Sequence, residues 1–467
     1  MTTQQASVLH RPARGRPARL GGALALALPL ALGLAACNND YGSSSGGLSC
    51  STPDQETWLA QYFAQDYLWA AYSPNFPPQT ADLATYFNSL LYTGGDPNYP
   101  VGVVDVWSTY TSDSLFTTYW VNGQDLGYGV FVNGLEVQGT SGPLLVRYVD
   151  PGSPGALAGI GRGDQVTTVN GTPATTIIAN NDYSAFSATA AGQTLVLGIH
   201  NANGDRDVTL TSTTFNLTPV QGARVTTTPG GRSMGYVMVT DMIDQALAPY
   251  DTAFGQFKTA GVQDVAIDLR YMGSGFVGDG EIMASYPAVA ATAGKIYVNL
   301  YFNALIAPFQ NSFYTFDSFA NATSLPRVFV LTGPRTCAAA EQLVNGLSPF
   351  VQVVTVGDTT CGKPLGSTPA SNCGTTYSIM NFQVTNGNNE GQYFGGLTAT
   401  CPVAEDLSVP IGADGDPLLA GAQHYADGGG CPPSTLTAAM SAARHAGINS
   451  LRAGLIEPTR RSGAIDR

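Results

Sequence analysis

From about residue 236 the chain alternates between two textures, and this alternation restricts its fold more than any other feature. Short apolar runs at 236–239, 265–269, 296–301, 327–331 and 351–356 have the length of buried strands. Helix-patterned stretches lie between them, around 245–258, 281–291 and 337–347. Repeats of this kind predict an α/β layer with at least one right-handed crossover. Composition agrees with several cored units. The chain is 44% apolar over 467 residues, while only 11% is charged and Gly 55 and Pro 29 supply many turns. A disordered chain and a highly charged helical bundle are both excluded.

The region before this layer has two further textures. Thr52-Pro53-Asp54-Gln55 offers a helix start with Thr52 as cap, and Trp58, Leu59, Tyr62, Phe63 and Tyr67 fall on one face. Leu83, Tyr86, Phe87, Leu90 and Leu91 repeat the pattern behind Thr80, so 50–115 is expected to be a small helical N-terminal domain with aromatic stripes turned to a core. From Gly127 the runs shorten to 128–132, 144–149, 165–169, 194–200 and 207–212, separated by Gly, Pro and Asn, which predicts a small β domain over 120–215. Residues 216–232, with Pro219 and Gly230-Gly231, read as a linker, 233–425 as the α/β core and 426–467 as a C-terminal helix and frayed tail.

The first 36 residues carry Arg11, Arg14, Arg16 and Arg19 before an apolar run over 21–36, the layout of a secretory signal. The closing Leu34-Ala35-Ala36-Cys37 resembles the lipobox of bacterial lipoproteins, which implies a lipid on Cys37, a tether over 37–49 and a place in the bacterial cell envelope, facing the periplasm or outer membrane. Export favours disulfides, and Cys50, Cys337, Cys361, Cys373, Cys401 and Cys431 are an even set whose pairing spacing alone leaves open. No Cys-x-x-Cys occurs and His200, His424 and His445 are far apart, so neither a metal nor a cofactor is expected. A net charge of −13 argues against nucleic acid as a partner.

Val149-Asp-Pro-Gly-Ser-Pro-Gly-Ala-Leu-Ala-Gly-Ile-Gly-Arg-Gly-Asp164, followed by a strand-like run to Asn170-Gly171, resembles PDZ domains. The resemblance places Gly127, Tyr128, Gly129 and Val130 at the loop whose backbone N–H groups hold a peptide's terminal carboxylate. Three motifs further on resemble the carboxyl-terminal processing (tail-specific) protease family: Asp268-Leu-Arg-Tyr-Met-Gly-Ser-Gly275, Thr336-Cys-Ala-Ala-Ala-Glu341 and Val356-Gly-Asp-Thr-Thr-Cys-Gly-Lys363. In that family a serine at a strand-to-helix turn is activated by a neutral lysine, and backbone N–H groups hold the oxyanion. The resemblance implies a core of the ClpP/crotonase-like type, with Lys363 as general base, Glu341 as its support, and Gly273, Ser274 and Ala339 around the oxyanion.

The position of the family's serine holds Ala338, which has no nucleophile. Met272 stands in place of an Asn, Ser274 in place of a Gly and Ser367 in place of a Gln. Cys337 and Cys361 flank the two catalytic positions that the family brings together, and are candidates for a disulfide. The expectation is therefore a serine-peptidase homologue, impaired in hydrolysis, that binds protein or peptide C-termini. The alternatives are an active peptidase that uses reduced Cys337, and a non-catalytic structural lipoprotein.

Overall fold

The computed structural model describes residues 49–74, 76–80, 82–134, 136–137, 142–436 and 463–466. The signal segment, Cys37, most of the tether and the expected C-terminal helix lie outside the described residues.

Helix α1 (Thr52–Asp66) starts one residue earlier than its sequence suggests, because Ser51 rather than Thr52 is the cap, its Oγ accepting from the Asp54 N–H. In the same way Asp82, not Thr80, caps α2 (Leu83–Ser89), while Thr80 donates its hydroxyl to Glu56. Leu59, Phe63, Tyr67, Tyr86, Phe87 and Leu90 are buried, and Trp58 and Tyr62 pack partly buried beside them. These helices have no core to themselves. Leu365, Tyr377, Ile379, Met380 and Phe394 share it, strand 109–112 pairs antiparallel with 375–378, and the Cys50–Cys373 disulfide links the segment to the core. Helix α3 (Asp113–Trp120) then leads to the β module.

In that module, strands Val130–Val132, Leu144–Val149, Gln165–Val169, Thr194–Asn201 and Gly204–Thr211 follow in that order across a sheet, with the short helix Ala174–Asn180 packed on it. Their inward residues, among them Val146, Val166, Leu195 and Leu197, form one apolar cluster.

The stretch read as a linker contains strand β1 (Val220–Thr227), antiparallel to β2 (Ser233–Val239) at a sheet edge. Its mostly exposed pattern explains why apolar content alone did not reveal it. After β2 come α4 (Asp244–Thr259), β3 (Asp264–Asp268), β4 (Ser274–Phe276), α5 (Val277–Ala284), β5 (Ile296–Phe302) and β6 (Ser312–Thr315). Then follow β7 (Arg327–Thr332), α6 (Ala339–Leu347), β8 (Gln352–Gly357), β9 (Leu365–Ser367), β10 (Phe382–Asn386) and β11 (Cys401–Pro402). The last described segment is β12 (Gly463–Ile465).

One sheet runs β1-β2-β3-β7-β8-β11 and is parallel from β2 onward. The other runs β4-β12-β9-β10-β5-β6. Between them α4, α5 and α6 bury Phe254, Phe257, Met283 and Leu343 against β2, β3, β7, β5 and β10. Within the segment read as a frayed tail, Gly463–Ile465 is thus a strand of the second sheet, held between β4 and β9. Three residues have no readable period, and their pairing exists only where two edges from elsewhere in the chain flank them.

Candidate functional site

The parallel strands β3, β7 and β8 end on the same side of their sheet, so the segments that follow them meet. After β3, Arg270 is buried in ion pairs with Asp268 at 2.8 Å and Asp416 at 2.6 Å, which fixes the exit of the chain toward Met272 and Gly273. After β7, Thr336 donates its hydroxyl to Leu269 O at 2.8 Å, and the Cys337 N–H bonds Met272 O at 3.0 Å. After β8, the Cys361 N–H bonds Thr336 O at 3.0 Å. These bonds bring together the three motifs singled out in the sequence.

Ala338 sits at the N-cap of α6 with φ 50° and ψ −110° and is fully buried. An L-residue in this left-handed region is strained by on the order of 1–3 kcal/mol and stays there only when its surroundings hold it. Glu341, one turn on and without solvent exposure, supplies much of that hold. Its Oε1 accepts from the Thr360 hydroxyl and from the Gly362 N–H at 2.8 Å. Its Oε2 accepts from the Lys363 N–H at 2.8 Å and the Ala338 N–H at 3.1 Å. One carboxylate oxygen therefore ties the backbone of position 338 to that of position 363. Burial pushes the Glu341 carboxyl above its ordinary range, with the four donors pulling the other way.

Lys363 is buried, immediately before Pro364 and β9. Cys337 and Cys361 form the disulfide that the sequence suggested, with Cα atoms 5.2 Å apart, and it braces the same two segments. Cys401–Cys431 is a third bridge. Cys337, Glu341 and Cys361 also form a compact group of metal-ligand types, but the two sulfurs are bonded to each other and offer no thiolate.

Glycine is needed at position 275, where a Cβ would fall 2.6 Å from the Met242 Cβ and 3.1 Å from the Ala339 Cβ. This close approach sets β4 against the start of α6. There the Ala340 N–H bonds Cys337 O and the Gln342 N–H bonds Ala338 O, while the Ala339 N–H has no acceptor among the described residues. Ser274 turns its hydroxyl to the Tyr119 OH at 2.8 Å, and Tyr119 also bonds Asp241. Sequence reasoning missed this polar cluster, because Tyr119 reads as an ordinary aromatic of α3. It gives the serine at position 274 a partner away from the α6 start.

Gly127, Tyr128, Gly129 and Val130 lie beside the edge strand Val130–Val132 of the β module. Gly129 has φ +66°, a Cβ there would fall 2.2 Å from Ser153, and the Gly155 N–H holds Tyr128 O at 2.9 Å. A cavity of about 610 Å³, lined among others by Glu136, Arg147, Tyr271, Arg335 and Asp358, lies between this module and the turn before Ala338, which the Arg335–Glu136 ion pair at 3.0 Å joins.

β12 lies between β4 and β9, pairing in parallel with both. Followed toward their N-termini, β4 and β9 lead to Gly273 and to Lys363-Pro364, and Gly463 stands level with Ser274 beside them. The segment thus occupies the sheet position next to the meeting point of the three motifs.

Comparison with known proteins agrees with this fold. The PDZ domain family model matches residues 145–198, within the β module. A carboxyl-terminal-processing peptidase of Arabidopsis thaliana, named as chloroplastic, is 27% identical over 215 residues, which cover 43% of this chain and 39% of that protein. This chain is a homologue of the carboxyl-terminal processing peptidases. It spans about two fifths of that relative's length. The fold likeness extends further: a solved structure from Bacteroides fragilis, named as an S41 protease, superposes with a TM-score of 0.59 at 22% identity, covering 79% of this chain and 97% of the other. The mixed α/β multidomain fold with a PDZ domain is thus the fold of this peptidase group. Among the described residues no helix is long and apolar enough to cross a membrane.

Proposed function

We propose that the chain is a lipid-anchored envelope protein with the carboxyl-terminal processing peptidase fold, which binds protein C-termini and is impaired in hydrolysis. The observation that carries this reading is Ala338, a methyl group held in strained backbone geometry at the strand-to-helix turn where the family places its serine. Without a hydroxyl, Lys363 has no nucleophile to deprotonate. Loss of that serine costs such machinery on the order of a million-fold in turnover. The neighbouring sulfur is no substitute, since Cys337 is bonded to Cys361.

Binding needs less. The Gly127–Val130 loop and edge strand fit a terminal carboxylate followed by strand addition, while an extended segment along Gly273, Ser274, Ala338, Ala339 and Lys363 requires the chain to open there, since the last four are buried. Three disulfides suit an oxidising compartment, in keeping with export and anchoring at Cys37.

The test is cleavage of a fluorescent unfolded protein by the body from Cys50 onward, in native form and as Ala338→Ser. Cleavage by the serine variant alone, lost again on Lys363→Met, is the expected result. Cleavage by the native chain overturns the reading. If that cleavage requires reductant and disappears in Cys337→Ala, the thiol is the nucleophile.

A further inference from the structure

The slot between β4 and β9 is filled by the chain itself. Ser274, Gly275 and Phe276 stand opposite Gly463, Ala464 and Ile465, while Gly366 and Ser367 stand opposite Ala464 and Ile465. The Asp466 N–H continues the ladder to Ser367 O at 3.0 Å. β12 is the strand through which β4 joins the second sheet, so an empty slot would leave two facing edges with exposed ladder groups.

The contacts go beyond the backbone. Ile465, 4% exposed, enters a pocket formed with Tyr119, Trp120, Phe215, Ile243 and Phe276, and the Tyr314 hydroxyl donates to the Asp466 carboxylate. A three-residue strand has little intrinsic stability, so what holds it is this combination of two ladders, one apolar pocket and one acidic contact. Combinations of this kind also recognise extended peptides: main-chain bonds give affinity and side-chain pockets give selectivity.

We propose that this slot is a peptide-binding site selective for a branched aliphatic residue followed by an acidic one, and that Gly463–Asp466 is its resident occupant, which incoming peptides must displace. The inference rests on the peptide-binding reading above and adds the ligand class and a competitor in cis. A tethered segment acts at an effective concentration on the order of millimolar, so a free peptide of equal intrinsic affinity displaces it only when it too approaches millimolar concentration.

The probe is a fluorescent peptide of the chain's own residues 462–467, Ser-Gly-Ala-Ile-Asp-Arg, followed by anisotropy with three full chains: native, Ile465→Asp and Ala464→Pro. The aspartate removes the pocket contact, and the proline removes a ladder donor. Both variants are expected to bind the probe about ten-fold or more tighter than the native chain does. A probe with Asp in place of Ile should lose that gain, and so should Trp120→Ala added to the Ile465→Asp chain. Amide exchange provides a readout that needs no variant: adding excess probe peptide to the native chain should leave 274–276 and 365–367 protected while 463–466 becomes exchangeable. Equal probe affinity in all three chains would overturn the slot proposal and leave C-terminus binding through the PDZ domain standing. No binding to any chain, and no change in exchange, would overturn both and make β12 a fixed structural strand.

Discussion

Replacing Glu341 by Gln tests whether its carboxylate is what holds the site together. The carboxylate accepts four hydrogen bonds, two at each oxygen, and three of the donors are backbone N–H groups that cannot reverse. A glutamine keeps one acceptor oxygen. With its NH2 at the Oε2 position, the Ala338 and Lys363 N–H groups both face a donor. With its NH2 at the Oε1 position, the Thr360 oxygen, which already accepts from the Leu397 N–H, can accept from the amide as well; the Gly362 N–H is then the one backbone donor left without an acceptor, and the Thr360 hydroxyl proton is displaced from the carboxylate. The second arrangement is therefore adopted. Its cost is one buried unsatisfied N–H, the displaced Thr360 hydroxyl proton and the loss of charge from the remaining bonds, together about 2–4 kcal/mol. Glu341→Leu strands all four donors and should cost roughly 4 kcal/mol or more.

The assay is urea unfolding of the three proteins, with amide exchange at 362 and 363 as the local readout. The expected order of stability is native, then Gln, then Leu, and in the Gln variant the Gly362 amide should lose protection while that of Lys363 keeps it. A Gln variant within about 0.5 kcal/mol of native, or Gln and Leu variants of equal stability, would refute the four-donor account.

Other consequences can be measured separately. Burial, with the Asp317 charge adding to it, raises the Glu281 carboxyl to about 8, against an ordinary 4.5. Between those values the unfolded chain has released this proton and the folded chain has not, so the contribution of Glu281 to stability falls as pH rises from about 4.5 to 8; Glu281→Gln, which mimics the neutral acid, should gain on native across that window in unfolding midpoints. A midpoint difference that stays constant with pH would contradict it. Opening the Cys337–Cys361 bridge, which spans 24 residues, as Cys337→Ala/Cys361→Ala should cost about 3 kcal/mol by chain entropy in urea unfolding. Gly275→Ala forces a methyl into Met242 and Ala339 and should lower the melting temperature and, in the Ala338→Ser background, abolish cleavage; full retention of both would mean that β4 and α6 can separate freely.

How much of this was legible in the sequence depends on the range of the interaction. The strands at 144–149 and 165–169 are bounded by turn residues and coincide with the observed elements. The core strands carry buried apolar runs whose alternation with helices required an α/β layer. The disulfide between Cys337 and Cys361 was suggested by the motifs around them, and those motifs do meet. Less legible were features made by residues far apart. Glu341 matches a family acid in sequence, but its grip on Gly362 and Lys363 exists only once β7 and β8 are adjacent. Tyr119, Asp241 and Ser274 come from three segments with no common period. β1 is an edge strand with few apolar residues to betray it, and the helical segment is completed by residues 365–394 that its own pattern does not contain.

The position of β12 also gives Ala338 a consequence within the same molecule. Its register sets Gly463 level with Ser274 and Ala464 level with Gly275 and Gly366, so it is paired with the strand that follows Gly273 and with the one that follows Lys363-Pro364. The backbone around position 338 is held by the Glu341 bonds and the disulfide, neither of which involves the side chain, so a hydroxyl introduced there needs no refolding. An extended segment of the same chain already lies paired with the two strands that follow Gly273 and Lys363-Pro364. The Ala338→Ser variant should accordingly cut itself just before Gly463, a loss of the five residues 463–467 that intact-mass spectrometry resolves, and it should do so at a rate independent of protein concentration. The trimmed protein should then bind the free peptide as the Ile465→Asp variant does. A serine variant that cleaves an added unfolded protein while its own mass stays unchanged would show that β12 does not run through the reactive position.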